Sequence, residues 1–367
     1  MKIRLLGQRN TTGIGTHYAC FSDQLKKIHG IGDLVEEVDF QNNQQIDQAI
    51  ADSQPDDITI CFVAANTHEH FRGTNIQWVV FESNRIPESI RPAIWGADQV
   101  WVPSDWGRSV LIAHGIPSHN VHVVPEGVDA NRFNAHGRRP WTPARPFRFL
   151  TVGKYEQRKG IDETLEAFAL THANRPDLEL VIKSNYFINS ERKHQELLKK
   201  ISSLGLTNVT VLWGEMSAQE LADLYRACDT FVLPSRAEGW GLPLIEAVAA
   251  GLPVITTMYS GHTEFLNHVR DSVLPVDFVM ANIDCAEYCS YYPDSQNNWG
   301  SWARPDVYSI AACMQTVCRE YEELFESACA NSFIIRRTFT WQNSVDLAIA
   351  AMGPIADFRA KSMTYNT

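Results

Sequence analysis

The sequence predicts an α/β protein built from two doubly wound domains, and three observations carry that prediction. At 367 residues the chain is long enough for two domains of ordinary size, each with its own core. Short apolar runs alternate with amphipathic helical patterns along its length, as in parallel sheets crossed by helices. The stretch from Thr230 to Thr256 spells out one complete unit of that kind. Thr230-Phe231-Val232-Leu233-Pro234 reads as a buried strand ending in a turn, and Pro253-Val254-Ile255-Thr256 as its parallel neighbour. Between them Pro243 suits the first helical position and Gly251 the helix stop. In such a crossover a ligand lies where the first strand ends and the helix begins.

Composition narrows the class. Hydrophobic residues at 44% and charged residues at 20% describe a folded globular chain. A net charge of −11 argues against a general nucleic-acid binder, which needs a basic surface to displace counterions. No apolar run approaches the ~20 residues of a membrane span, and the apolar stretch at Met1–Gly7 is too short for a signal peptide. The eight cysteines are scattered, and Cys285 and Cys289 lack a second pair or a nearby histidine to complete a metal site. Reduced thiols and a cytoplasmic location are expected, with the inner face of a membrane left open.

The first domain, residues 1–142, opens with the strand Ile3–Leu6 and a turn carrying Gly13 and Gly15. A helix is expected from about Thr16 to Ile28. Glycines between strand and helix let backbone amides approach a ligand, although this Gly-x-Gly is not a full dinucleotide fingerprint. Ile58–Val63 is the next strand, leading to the loop Asn66–His70. His68 and His70 invite a metal reading, but the sequence identifies no further ligands; a polar loop lining a cleft suits them better. Gln77–Phe81 is a strand running into Glu82-Ser83-Asn84-Arg85, read as a ligand edge or a salt-bridged turn. Gln99–Ser104, a helix from Asp105 to His114, and Val121–Asp129 close the domain. Arg138–Pro146 is proline-rich and resists helix, so it reads as an extended linker. Its arginines and tryptophan suit either solvation or contact with anionic lipid.

The second domain, residues 143–340, begins at the strand Phe149–Gly153. Lys154, Arg158 and Lys159 then cluster in one strand-to-helix turn of an acidic protein. A diphosphate leaving group demands such a cluster: negative charge met by cations and backbone donors. The plain alternative is a solvated basic turn. A helix over Ile161–Thr171, strands at Glu179–Lys183 and Val209–Trp213, and helices near Glu191–Leu204 and Met216–Ala227 lead to the Thr230–Thr256 unit. Asp277–Pro305 is irregular and aromatic. A helix over Tyr308–Ser327 follows, and residues 341–367 hold a last helix.

The twelve residues from Arg236 to Ala247 carry the most specific signal. They place Glu238 and Glu246 eight positions apart around Gly239-Trp240-Gly241-Leu242 and Pro243. This resembles the Glu-x7-Glu signature of retaining, nucleotide-sugar-dependent glycosyltransferases of family 4. The resemblance implies the GT-B fold: two Rossmann-like domains facing a cleft, with a terminal helix crossing back to the first. Lys154 and Lys159 resemble that family's pair gripping the donor phosphates. Lys154 stands where arginine is usual, which loses bidentate geometry. By the same comparison Glu246 binds the ribose and Glu238 the donor sugar. Gly239, Trp240, Gly241, Leu242, Gly261, Glu264, Arg158, Gly13 and Gly15 border the donor, while His68, Glu82 and Arg85 face the acceptor.

The implied activity is transfer of a sugar from a nucleoside diphosphate to a hydroxyl of a glycan, lipid or small molecule, with retention. Expected partners are that donor and acceptor, not nucleic acid; peripheral membrane contact stays open. No cofactor is called for, and the chain contains no Asp-x-Asp to bridge a metal. A nucleotide-sugar epimerase, a sugar-phosphate synthase and a non-catalytic nucleotide-sugar binder remain as competitors.

Overall fold

The computed structural model describes residues 1–62, 71–173, 175–186, 189–292 and 296–353. In chain order the first elements are β1 (Ile3–Gly7), α1 (Gly13–Leu25), β2 (Val35–Asp39), α2 (Asn43–Ala51), β3 (Ile58–Cys61) and β4 (Thr74–Trp78). Then come α3 (Arg91–Trp95), β5 (Gln99–Val102), α4 (Asp105–Ala113) and β6 (Val121–Val123). A second series runs β7 (Phe147–Val152), α5 (Ile161–His172), β8 (Leu178–Ser184), α6 (Ser190–Ser203), β9 (Val209–Trp213), α7 (Ala218–Ala227) and β10 (Thr230–Val232). It continues with α8 (Leu242–Ala249), β11 (Val254–Thr257), α9 (Thr263–Leu266), β12 (Val273–Val276) and β13 (Phe278–Asn282). The chain ends with α10 (Ala286–Tyr291), β14 (Ser301–Pro305), α11 (Val307–Arg319), α12 (Tyr321–Thr338) and α13 (Trp341–Ala351).

Two compact units result. One holds Met1–Gly127, Asp284–Gly300 and the chain from Phe339; the other holds Val128–Ile283 and Ser301–Thr338. The chain therefore divides at Gly127 rather than at residue 142. The proline-rich stretch is not a free linker, because three of its side chains, Arg138, Trp141 and Arg145, are held against the second unit. Trp141 packs edge-on against Phe147, Arg138 donates to the Tyr225 carbonyl, and Arg145 makes a bidentate pair with buried Asp229 at 2.7 and 2.6 Å.

The sheet of the first unit runs β2-β1-β3-β4-β5-β6, all parallel. Its strand order reverses between β1 and β3, and the segment bearing Gly13 and Gly15 follows β1. Helix α13 packs on α1, with the Gln24 and Gln342 side chains bonded and His17 stacked on Trp341 at 5.8 Å. The expected strand Gln77–Phe81 lies earlier, at Thr74–Trp78, so Glu82 and Arg85 sit in the irregular segment beyond its end.

The sheet of the second unit runs β12-β11-β10-β7-β8-β9, again parallel. Its order reverses between β7 and β10, which pair through Thr230 with Phe149 and Phe231 with Leu150. Buried Phe149, Leu180, Ile182, Val232 and Ile255 fill this core. Two expectations change here. The irregular stretch after Asp277 contains an antiparallel pair, β13 with β14. The single helix expected over Tyr308–Ser327 is two, α11 and α12, separated at Glu320.

Candidate active site

In an open parallel sheet, ligands bind at the carboxyl ends of the strands where the order reverses. In the second unit that point lies between β7 and β10. The turn leaving β7 is a single 3-10 turn, Gln157–Lys159, closed by Gly160 at φ +68°. A side chain at Gly160 would strike the Pro234 carbonyl at 2.4 Å, so glycine lets this turn press onto the exit of β10. The Arg236 backbone N–H seals the contact by donating to the Arg158 carbonyl at 2.7 Å.

That approach brings two buried cations onto one buried carboxylate. Lys159 Nζ lies 2.7 Å from Glu238 Oε1, and Arg158 Nη1 lies 3.0 Å from Glu238 Oε2. Arg158 also donates to the Ala237 carbonyl at 2.8 Å and pairs with Glu156 at 2.6 Å. Ser235 Oγ donates to Glu238 Oε1 at 2.6 Å. Burial by itself would push the Glu238 carboxyl up, but Lys159 and Arg158 outweigh it and hold the group well below the usual carboxylate range. Glu238 is therefore an ionised acceptor at neutral pH. Lys154 is half-buried on the segment between β7 and that turn.

The Glu238 backbone is held from the far side. Its N–H donates to Ser260 Oγ and its carbonyl accepts from the Gly261 N–H, both at 2.8 Å. A Cβ at Gly261 would meet the Gly239 carbonyl oxygen at 1.9 Å, so only glycine fits there. Gly241, at φ +97°, opens α8, with Leu242 as its first residue. Buried His262 accompanies this turn, with one ring nitrogen 2.6 Å from the Thr257 carbonyl. Glu264 is half-buried in the first turn of α9.

Glu246 lies in α8, on the turn beyond Glu238. It keeps part of its surface in contact with solvent, yet its carboxyl is enclosed by protein. Burial pushes it up to about 8, and the Tyr225 hydroxyl and Arg132 pull only partly the other way. The Tyr225 hydroxyl lies 3.1 Å from Glu246 Oε2 and 3.0 Å from the Pro243 carbonyl.

The structure thus gathers Arg158, Lys159, Glu238, Gly239, Gly241 and Gly261 about the carboxyl ends of β7, β10 and β11, while Lys154, Leu242, Glu246 and Glu264 lie on the segments that follow those strands. Trp240 departs from expectation. Its ring is buried and packs on Phe265 at 5.1 Å, so it is core and offers a ligand no side-chain face. Gly13 and Gly15 also differ, standing in the first turn of α1 rather than in a loop. The reason is Thr12, whose hydroxyl caps the helix by accepting from the Gly15 N–H at 3.1 Å. In the first unit Arg85 donates to Gln296 at 2.9 Å, Ser83 donates to the Trp299 carbonyl, and Glu82 is half-buried beside them. His68 lies outside the described residues. Sequence reasoning missed Ser235, Ser260 and Tyr225: small hydroxyls after strands and a tyrosine on a helix face carry no local signal.

Comparison with known proteins agrees with this geometry. Residues 138–274 match the family model for glycosyl transferases group 1. Over 175 residues the chain is 30% identical to mannosylfructose-phosphate synthase of Agrobacterium fabrum, an overlap of 45% of this chain and 38% of that protein. Over 212 residues it is 28% identical to D-inositol 3-phosphate glycosyltransferase of Pseudarthrobacter chlorophenolicus, covering 53% and 49%. The chain thus spans less than half the length of either relative. Among solved structures, HepE of Anabaena in complex with UDP aligns with a TM-score of 0.71 at 16% identity, over 96% of this chain and 100% of that one. Sucrose-phosphate synthase of Thermosynechococcus elongatus aligns at 0.68 and 15%, over 97% and 100%. This chain shares with those solved structures the GT-B fold of two Rossmann-like units, and its residues 138–274 are similar to the glycosyl transferases group 1 family.

Proposed function

We propose that this protein is a retaining glycosyltransferase, moving a sugar from a nucleoside diphosphate to a hydroxyl of a glycan, lipid or small molecule. The observation that carries the reading is the buried Arg158–Lys159–Glu238 cluster at the strand-order reversal of the second unit. A carboxylate held ionised by two cations is a poor general acid at neutral pH and a good acceptor for sugar hydroxyls. Glu238 is accordingly the group that orients the donor sugar. Lys159 has further ammonium hydrogens for a phosphate oxygen, and with Lys154 it stabilises the departing diphosphate. Backbone N–H groups at the start of α8 add to that field. Glu246 receives the ribose hydroxyls.

Retention follows if the acceptor attacks the face from which the diphosphate leaves, with a leaving oxygen taking the acceptor proton. The chain then supplies orientation and charge rather than a nucleophile. Lysines and backbone amides do the neutralising that a metal performs elsewhere, so turnover needs no added divalent cation. The acceptor side falls to the first unit, with Glu82, Arg85 and His68 as the residues to test. Similarity to mannosylfructose-phosphate synthase and to D-inositol 3-phosphate glycosyltransferase supports sugar transfer while leaving the acceptor open.

Lys159→Ala is the direct test of the leaving-group role. It should lower kcat by about 10²-fold while weakening affinity for the nucleoside diphosphate product by only about threefold to tenfold. Equal losses in both quantities would mean that the lysine merely binds.

A further inference from the structure

Ser260 stands out in the second unit because its backbone and its side chain make opposite demands. Its φ is +73°, the left-handed region that a residue with a Cβ avoids and glycine enters freely. The residue is buried at 2% exposure, so no solvent-side freedom explains the serine. What the side chain does is specific: Oγ accepts the Glu238 N–H at 2.8 Å. The next residue completes the hold, since the Gly261 N–H donates to the Glu238 carbonyl at 2.8 Å. The conformation is itself pinned, with the Ser260 carbonyl accepting from the Thr263 N–H at 3.1 Å and from Thr263 Oγ1 at 2.7 Å.

Glycine at this position would remove the strain and leave the buried Glu238 N–H without its acceptor. Strained, non-glycine backbone concentrates where geometry serves function. From these contacts we infer that Ser260 is a positioning residue for the transfer reaction: its hydroxyl fixes the Glu238 peptide so that the carboxylate presents one orientation to the donor sugar. This rests on the sugar-transfer reading above. The two ends of Glu238 are then fixed by separate strands' loops. Lys159, Arg158 and Ser235 hold the carboxylate from the β7 and β10 sides, and Ser260 with Gly261 holds the peptide from the β11 side.

The test compares full-length wild type, Ser260→Gly and Ser260→Ala, using hydrogen exchange, melting temperature and donor kinetics with UDP-, GDP- and ADP-sugars. Ser260→Gly should speed exchange at the Glu238 amide by about tenfold or more and melt no lower than Ser260→Ala, because glycine relieves the left-handed strain. Its kcat should fall about tenfold with donor KM within about twofold. A purely structural serine would instead lower melting temperature and activity together. Unchanged exchange in Ser260→Gly would overturn the inference, as would unchanged kcat alongside an active wild type. A wild type that turns over no donor would overturn the sugar-transfer reading, and this role with it.

Discussion

Glu238 and Glu246 stand eight positions apart, and their surroundings drive their carboxyls in opposite directions. Glu238, met by Lys159 and Arg158, stays ionised in the fold at pH values where it would take a proton in the unfolded chain. Its contribution to stability is present above the ordinary 4.5 and is lost as pH falls through and below it. Glu246, buried beside Tyr225, holds its proton up to about 8. It contributes stability below the ordinary 4.5 that drains away as pH rises through about 8, at about 1.4 kcal/mol per pH unit for one proton. Glu246→Gln, which is neutral throughout, should flatten the decline between those values. Melting temperature measured from pH 5 to pH 9 checks this, and parallel curves for variant and wild type would show that Glu246 is ionised throughout. The glutamate pair was legible from its spacing and its glycines. The opposed protonation was not, because it depends on how deeply each carboxyl is buried and on Lys159 and Arg158, with Lys159 lying 79 positions from Glu238.

At the scale of elements, the site depends on three loops meeting within a backbone's width. Gly261 is the tightest point, where a methyl group would sit 1.9 Å from the Gly239 carbonyl oxygen. Gly261→Ala should therefore destabilise the second unit by about 1–3 kcal/mol and disturb Glu238 through its carbonyl bond. Calorimetry of that variant, with hydrogen exchange over Arg236–Trp240, reads both effects. Long periodic segments such as α4, α5 and α7 could be read from the sequence because one apolar face repeats. Strand β2, Val-Glu-Glu-Val-Asp, went unread because an edge strand pairs on one side only and is mostly half-buried. The α11–α12 break also escaped notice, since no proline or glycine marks Glu320. The short segment Thr12–Gly15 misled for a different reason: a threonine cap turns a glycine-rich stretch into the first turn of a helix.

At the scale of the whole chain, alternating strands and helices announced two parallel sheets, and both are present. What the sequence concealed was the earlier return of Asp284–Gly300 to the first unit. The return of the last helix was expected from the family resemblance, and α13 does belong to that unit, burying Trp341, Val345, Ala348 and Ile349. Gly127 marks how close this packing is, because a Cβ there would meet the Trp341 backbone nitrogen at 2.2 Å. Trp341→Ala should cost the first unit about 3–5 kcal/mol, lowering its melting transition more than that of the second unit. Such returns are invisible to local pattern, since they join residues more than 300 positions apart, as Gln24 and Gln342 are.

The central claim is that the second unit binds a nucleoside diphosphate sugar and expels the diphosphate onto Lys159 and its neighbours without a metal. The most direct measurement is release of nucleoside diphosphate from a panel of UDP-, GDP-, ADP- and dTDP-sugars, made in the presence of EDTA with wild type and Lys159→Ala side by side. The account predicts release from at least one donor by the wild type, undiminished by the chelator and about 10²-fold slower in the variant. No release from any donor, or release that the variant leaves unchanged, would contradict it.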